Sequence, residues 1–211
     1  MRATSAIALC LFFNPYLASA DAVKVAAGDI YWEASDHPPK RLTSLGLDRE
    51  PALSPDGKLV VFVRDTGPRT KGDDRDLTSE LWVGSLLSGG SQRLLASRPS
   101  PQPEENLTDF NRPVFSPDST AVYFISSAWA TSGAIHALDL KSRKVRYITP
   151  GNSLLVIRSG KYGGYLIAQK HKYFPAGGSY DHFWLVTPQG REAGLVGPEE
   201  ANVQEFLRLY Q

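Results

Sequence analysis

His171, Asp181 and His182 are the residues of this sequence whose types and spacing come nearest to doing chemistry. Imidazole and carboxylate together could hold a metal ion or pass a proton. Two histidines with no third ligand close in sequence fall short of a metal site, and most such histidines are structural or lie on the surface. Aromatic side chains crowd around them: Tyr162, Tyr165, Tyr173, Phe174, Tyr180, Phe183 and Trp184. Tyr165, Phe183 and Trp184 fall in apolar runs and read as strand residues packed in a core. His171, Tyr173, Phe174 and Tyr180 fall in a stretch with Gly177-Gly178 and read as a contact loop, because Tyr and Trp supply rigid amphipathic area at binding hot spots. The sequence contains no His-Glu-x-x-His, no Gly-x-Ser-x-Gly and no phosphate-binding glycine loop. Asp73-Asp74 and Glu199-Glu200 are adjacent acids, which point apart in extended chain and read as solvated charge. Binding rather than catalysis is therefore expected, with no catalytic residue, metal or cofactor.

A second candidate set is charged. Residues 65–79 form an insertion carrying Asp73, Asp74, Arg75 and Asp76, and the Pro-rich residues 97–109 carry Glu104 and Glu105. With residues 171–180 these make three long connections. Long connections without structure of their own usually have a role.

The elements that must hold these loops are built on one hairpin. Glu50-Pro51-Ala52-Leu53 leads into Ser54-Pro55-Asp56-Gly57, then Leu59-Val60-Val61-Phe62-Val63. Proline presets φ at the second turn position, serine can bond back to the backbone, and glycine accepts the left-handed conformation that closes the turn. The strand after it is apolar without alternation, so both its faces are covered. The pattern recurs as Arg112-Pro113-Val114-Phe115-Ser116-Pro117-Asp118-Ser119, followed by Val122-Tyr123-Phe124-Ile125. Ser119 stands where the first copy has glycine, a poorer left-handed residue. A repeated hairpin buried on both faces predicts sheets stacked face to face, as in a propeller.

This signature resembles the blades of TolB-type β-propellers. That resemblance implies two further strands per blade, matched here by Glu80-Leu81-Trp82-Val83 then Arg93-Leu94-Leu95, and by Ala134-Ile135-His136-Ala137-Leu138-Asp139 then Arg146-Tyr147-Ile148-Thr149. It implies an all-β fold of TolB-like blades and leaves function open, since such blades serve binding proteins and the accessory domains of peptidases alike. It also points to a bacterial envelope protein.

Residues 1–20 read as a secretory signal. Arg2 is followed by an apolar stretch too short to span a bilayer, and Ala18-Ser19-Ala20 is a small-residue cleavage motif. The 211 residues contain 23 basic and 22 acidic side chains. Loss of Arg2 with the signal balances the two, so no global field favours nucleic acid or an anionic membrane. The one cysteine, Cys10, lies inside the signal, which leaves neither disulfide nor thiol in residues 21–211. No later stretch is long and apolar enough to cross a bilayer.

Residues 21–46 read as an imperfect first blade without the opening hairpin, with a break at His37-Pro38-Pro39. Residues 50–96 and 112–149 form the second and third. A divergent fourth has strands near 154–157, 164–168, 182–186 and 192–196, and residues 201–210 read as a short helix behind the acids Glu199 and Glu200. At roughly 45 residues per blade the domain at 21–211 holds about four. A small closed ring, an open stack and a ring completed by a second chain, hence an oligomer, all fit that count. In a four-stranded meander the three long connections emerge at one end, the face where propellers usually bind. The expectation is a non-enzymatic periplasmic propeller that binds a protein partner through that face. The alternative is a small-ligand or glycan-binding propeller using His171, Tyr173, Tyr180 and His182.

Overall fold

The computed structural model describes residues 21–34, 37–66 and 78–211. The signal segment and residues 67–77, which include Asp73, Asp74, Arg75 and Asp76, lie outside the described residues.

Fifteen strands fall into four antiparallel sheets among the described residues. The first sheet holds β1 (Ala22–Ala26), β2 (Asp29–Ala34) and β3 (His37–Arg41). The second holds β4 (Asp48–Leu53), β5 (Leu59–Asp65), β6 (Ser79–Ser85) and β7 (Ser91–Ala96). The third holds β8 (Asn111–Phe115), β9 (Ala121–Ser126), β10 (Ala134–Asp139) and β11 (Val145–Pro150). The fourth holds β12 (Ser153–Val156), β13 (Leu166–Tyr173), β14 (Ser179–Val186) and β15 (Glu192–Gly197), and helix α1 (Glu200–Tyr210) follows it. Each sheet pairs only within itself, as a meander. The first and last do not join, so the four blades form an open propeller.

Both repeated turns form as the residue types dictate. Gly57 N–H donates to Ser54 O at 2.9 Å and Ser119 N–H to Ser116 O at 3.0 Å. Each serine hydroxyl donates to the following aspartate at 2.6 Å and accepts the N–H of the strand beyond at 2.9 Å. Those serine hydroxyls hold the Asp56 and Asp118 carboxyls below the usual aspartate range. Gly57 and Ser119 have φ of 67° and 59°.

Apolar layers fill the gaps between sheets. Val60 and Phe62 face Ile30 and Trp32 of the first sheet. Val61, Val63, Leu81 and Val83 face Phe115, Val122, Phe124 and Leu138 of the third. Tyr123, Ile125 and Ile135 face Leu166, Ala168 and Val186 of the fourth. Consecutive residues of one strand thus enter different layers, which is why these strands read as continuous apolar runs.

Each end of the stack is covered differently. The outward face of the first sheet carries Lys24, Tyr31, Glu33 and Arg41, with Lys24 paired to Glu33. A polar outer face is what a terminal repeat needs. The outward face of the fourth sheet is apolar, and α1 lies on it through Val203, Phe206 and Leu207 against Ile157, Ile167, Phe183 and Leu185. The Glu199 N–H donates to Asn202 Oδ1 at 3.0 Å and caps the helix.

Two sequence expectations need correction. His37-Pro38-Pro39 is not a break but the start of β3, whose five residues are all exposed. It is an edge strand, the one sheet position where proline's missing N–H costs no ladder bond. Residues 171–180 are likewise not a loop. β13 and β14 run on through His171 and Tyr173 to Ser179 and Tyr180, leaving a short tip at 174–178. The backbone ladder carries the pairing out to Tyr173 and Ser179, and Lys170 and Lys172 tie the extension to Glu192 of β15.

Candidate functional site

The connections from second to third strand, and from one sheet to the next, gather at one end of the stack. The 97–110 linker shows how that end is built. It is a docked segment: Arg98 and Leu107 exchange backbone bonds of 2.7 and 3.0 Å, and Leu107 and Phe110 are buried in the core. Asn106 is its hub. Its side chain accepts from Ser100 N–H at 3.1 Å and donates to Thr108 Oγ1 at 3.0 Å and to Ser127 O at 2.9 Å. Its carbonyl accepts the Ser126 hydroxyl at 2.7 Å. Glu104 and Glu105 sit in a single 3-10 turn, Pro103–Glu105, with both side chains exposed. Burial pushes the nearby Tyr147 phenol up to about 12, and the Glu104 charge adds to the shift.

The β13–β14 arm carries the aromatic candidates, and its pairing divides them. His171 stands opposite Asp181 and Tyr173 opposite Ser179, whereas Tyr180 stands opposite Lys172 and His182 opposite Lys170. His171 and Tyr173 therefore share the α1 side of the sheet, with His171 Nδ1 at 3.0 Å from Asp181 Oδ1 and the two rings edge to face at 5.0 Å. Tyr180 and His182 share the other side, 4.6 Å apart, and Phe174 folds over onto Tyr180 at 4.6 Å. The four residues His171, Tyr173, Tyr180 and His182 do not converge on one pocket. On the inner side, Lys170 donates to Thr149 Oγ1 at 2.7 Å and to Glu192 at 2.5 Å, while Lys172 donates to Glu192 at 2.8 Å and lies 3.6 Å over the Trp184 ring. Burial works to raise the Glu192 carboxyl, but the two lysines outweigh it and hold it below the ordinary glutamate range. Among the described residues no group of three His, Cys, Asp or Glu could hold a metal ion. Nor is any described helix long and apolar enough to cross a membrane.

Sequence reasoning passes over the inner edge of the stack. Glu50 and Arg112 occupy the same place in the two repeats, each before a proline, each at a bulge, and each with φ of 50°. A non-glycine residue in that region is strained, and the same strain at two equivalent positions marks side chains held in a set direction. The Glu50 carboxylate accepts the Arg112 N–H and a 2.8 Å bond from Arg49, which ties the inner strands together. The Arg112 guanidinium is exposed and has no partner among the described residues. These residues line a hollow of about 570 Å³ with Pro51, Asn111 and Pro113. Asn111 also lines a second hollow of about 520 Å³ under the β9–β10 loop, with Ser127, Trp129, Thr131, Ser132 and Asn152. The signal for this region in the sequence is the charged residue before Pro51 and before Pro113.

No protein-family model matches the chain, and no curated protein matches it in sequence. Solved structures do. Dipeptidyl peptidase 4 from Porphyromonas gingivalis is similar with a TM-score of 0.57 at 13% identity, over 85% of this chain and 31% of that one. The tricorn protease gives 0.58 at 12% identity, over 85% and 16%. The β-propeller domain of the Trilobed protease from Pyrococcus furiosus, described as having an open velcro topology, gives 0.51 at 15% identity, over 79% and 48%. The chain thus spans less than half the length of each of these relatives. The likeness shows the propeller fold.

Proposed function

We propose that this chain is a non-enzymatic periplasmic propeller of TolB-like blades that binds a protein partner across its loop end. The observation that carries the reading is the tip of the β13–β14 arm. Tyr173 and Phe174 stand there 68% and 52% exposed on a paired two-stranded support. Large aromatics on a rigid mount lose little conformational freedom on contact and are the residue types that dominate interface hot spots. The exposed Glu104 and Glu105 and the hollow beneath Trp129 belong to the same end of the stack and supply a polar surround. The leader-like residues 1–20 support export. The glycan alternative requires His171, Tyr173, Tyr180 and His182 on one side of the arm, and the pairing splits them.

Capture from envelope extract on the immobilised chain, with the double variant Tyr173→Ala, Phe174→Ala alongside, tests the reading. One stoichiometric partner that the variant loses supports it. A partner retained by the variant moves the interface elsewhere, and no partner from either sinks the proposal.

A further inference from the structure

Helix α1 covers the fourth sheet unevenly. It lies nearest β15, the last strand, and approaches the inner strand β12 less closely. The gap is a cleft of about 230 Å³ between the start of α1 and the inner edge of the sheet. Register sets its floor. Ser153, Gln169 and Phe183 form one row across the sheet, and Leu155, Ile167 and Leu185 form the next on the same side. Ile167 and Phe183 are buried with Val203 in the layer under α1, whereas Leu155 is only half-buried where the cleft opens.

Two of the lining residues are charged, and they are of opposite sign: Arg112 and Glu200. Arg112 comes from β8, which lies beside β12 along the inner edge. The Glu50 carboxylate accepts its N–H and so holds the backbone from which the guanidinium extends. Glu200 is the first residue of α1. Each side chain is exposed, neither has a partner among the described residues, and the two do not pair with each other. Arg49, also on the inner edge, is different: it is committed to Glu50, Asp65 and the Phe110 carbonyl. Two neutral groups complete the lining. The Ser153 hydroxyl accepts the Gln169 N–H at 3.3 Å and keeps its own proton for another bond. The Gln204 carboxamide has no partner among the described residues.

An apolar floor between an open guanidinium and an open carboxylate matches a ligand with both charges and an apolar body. We propose that this cleft binds a free α-amino acid with a branched aliphatic side chain. The ligand carboxylate bonds to Arg112, whose fork suits it, and to the Ser153 hydroxyl. Its ammonium bonds to Glu200 and to the Gln204 carbonyl, and its side chain covers Leu155, Ile167 and Phe183. A residue inside a peptide carries neither charge and a terminal residue only one, so the free amino acid is the better complement. Size agrees: at about 30 Å³ per water the cleft holds about eight heavy atoms, which suits leucine or valine. The cleft shares no residue with the tip of the β13–β14 arm, and neither proposal depends on the other.

The test titrates the purified chain at pH 7 with L-leucine and with two analogues that each lack one charge, isocaproate and isoamylamine. Binding is read from the resonances of Leu155, Ile167, Phe183 and Val203. Leucine is expected to give saturable shifts at these residues at millimolar concentration. Each analogue should bind about tenfold more weakly, the loss of one charge-assisted contact. Arg112→Gln should lower leucine to the level of isoamylamine and leave isoamylamine unchanged. Glu200→Gln should lower leucine to the level of isocaproate and leave isocaproate unchanged. The amide spectrum checks the fold of both variants, and the analogue series on the unaltered chain decides the matter should either fold poorly. Absence of saturable shifts with leucine overturns the proposal. Equal binding of the three compounds overturns it in favour of an apolar crevice, and tighter binding of isocaproate than of leucine overturns it in favour of a simple anion site.

Discussion

His136 Nε2 lies 3.0 Å from the hydroxyl of Ser126, inside the third sheet. The Ser126 hydroxyl donates to the Asn106 carbonyl at 2.7 Å, so its lone pair must accept the His136 proton. That fixes the proton on Nε2. Nδ1 is then a bare acceptor, buried and without a partner. One side chain therefore joins the apolar stack on Phe124, at 5.3 Å, to the linker that builds the loop end.

This arrangement sets a pH dependence. Burial pushes the His136 imidazole down to about 4 from an ordinary value near 6.5. Between those values the unfolded chain binds a proton that the folded chain refuses, so stability falls as pH drops from about 6.5 to 4. The full effect is about 3 kcal/mol, and above pH 7 the group contributes no slope. Denaturant melts across this range should show the loss. His136→Phe keeps a ring on Phe124 and should flatten the curve between pH 5 and 6.5.

The two repeated turns give opposite expectations for glycine. An added Cβ at Gly57 meets nothing within 4 Å, so Gly57→Ala is penalised only by its φ of 67° and should cost about 1 kcal/mol. Ser119 holds a φ of 59° and a buried hydroxyl with no partner. Ser119→Gly removes both penalties and should stabilise by about 1 kcal/mol. Thermal unfolding of the two variants tests the pair. A destabilised Ser119→Gly would mean that the hydroxyl does more than the turn geometry shows.

Much of this fold is legible in the sequence, for a reason visible in those turns. Ser54-Pro55-Asp56 and Ser116-Pro117-Asp118 satisfy their own backbone locally, so residue type alone predicts them. The apolar runs beside them are read correctly because both faces of each strand are buried. The arm at 171–180 is misread because its outer half holds few β-branched residues and ends in Gly177-Gly178. Its pairing is carried by backbone bonds and by Lys170 and Lys172 reaching Glu192, a residue of another strand. Glu50 and Arg112 escape notice because strain at a bulge is a property of φ, not of composition. The split of His171 and Tyr173 from Tyr180 and His182 follows from register alone, which needs the strand ends to be known.

The lysine pair gives a third prediction. Lys170 is buried, and its charge is matched by Glu192. Glu192→Gln leaves that ammonium with neutral acceptors and should cost about 1–3 kcal/mol, the penalty of a buried charge losing its counter-ion. Lys170→Met removes the charge and keeps the stem, so it should cost clearly less. Because the Glu192 carboxyl titrates below its ordinary value in the fold, the contribution is present above the unfolded glutamate range and disappears as pH falls below it. Urea melts of both variants at pH 7 and pH 3 separate charge from packing. Equal losses for the two would assign the effect to packing.

Helix α1 gives a fourth prediction. It covers the fourth sheet where a further blade would otherwise pack, with Val203 buried among Ile157, Ile167, Phe183 and Leu185. Val203→Ala removes two methyl groups from that layer and should cost about 1.5–3 kcal/mol without changing the oligomeric state. Val203→Asp sets an unpaired carboxylate on the same surface, which the helix can relieve by lifting away. The apolar face of β12 to β15 is then exposed, and exposed faces of that kind associate. Light scattering after size exclusion should show concentration-dependent assembly for Val203→Asp and none for Val203→Ala. A Val203→Asp chain that unfolds outright without associating would show that α1 is integral to the fourth sheet and not a removable cover. Assembly in both variants would mean that loosening the helix is enough to open the face, and that its hold on the sheet is weak.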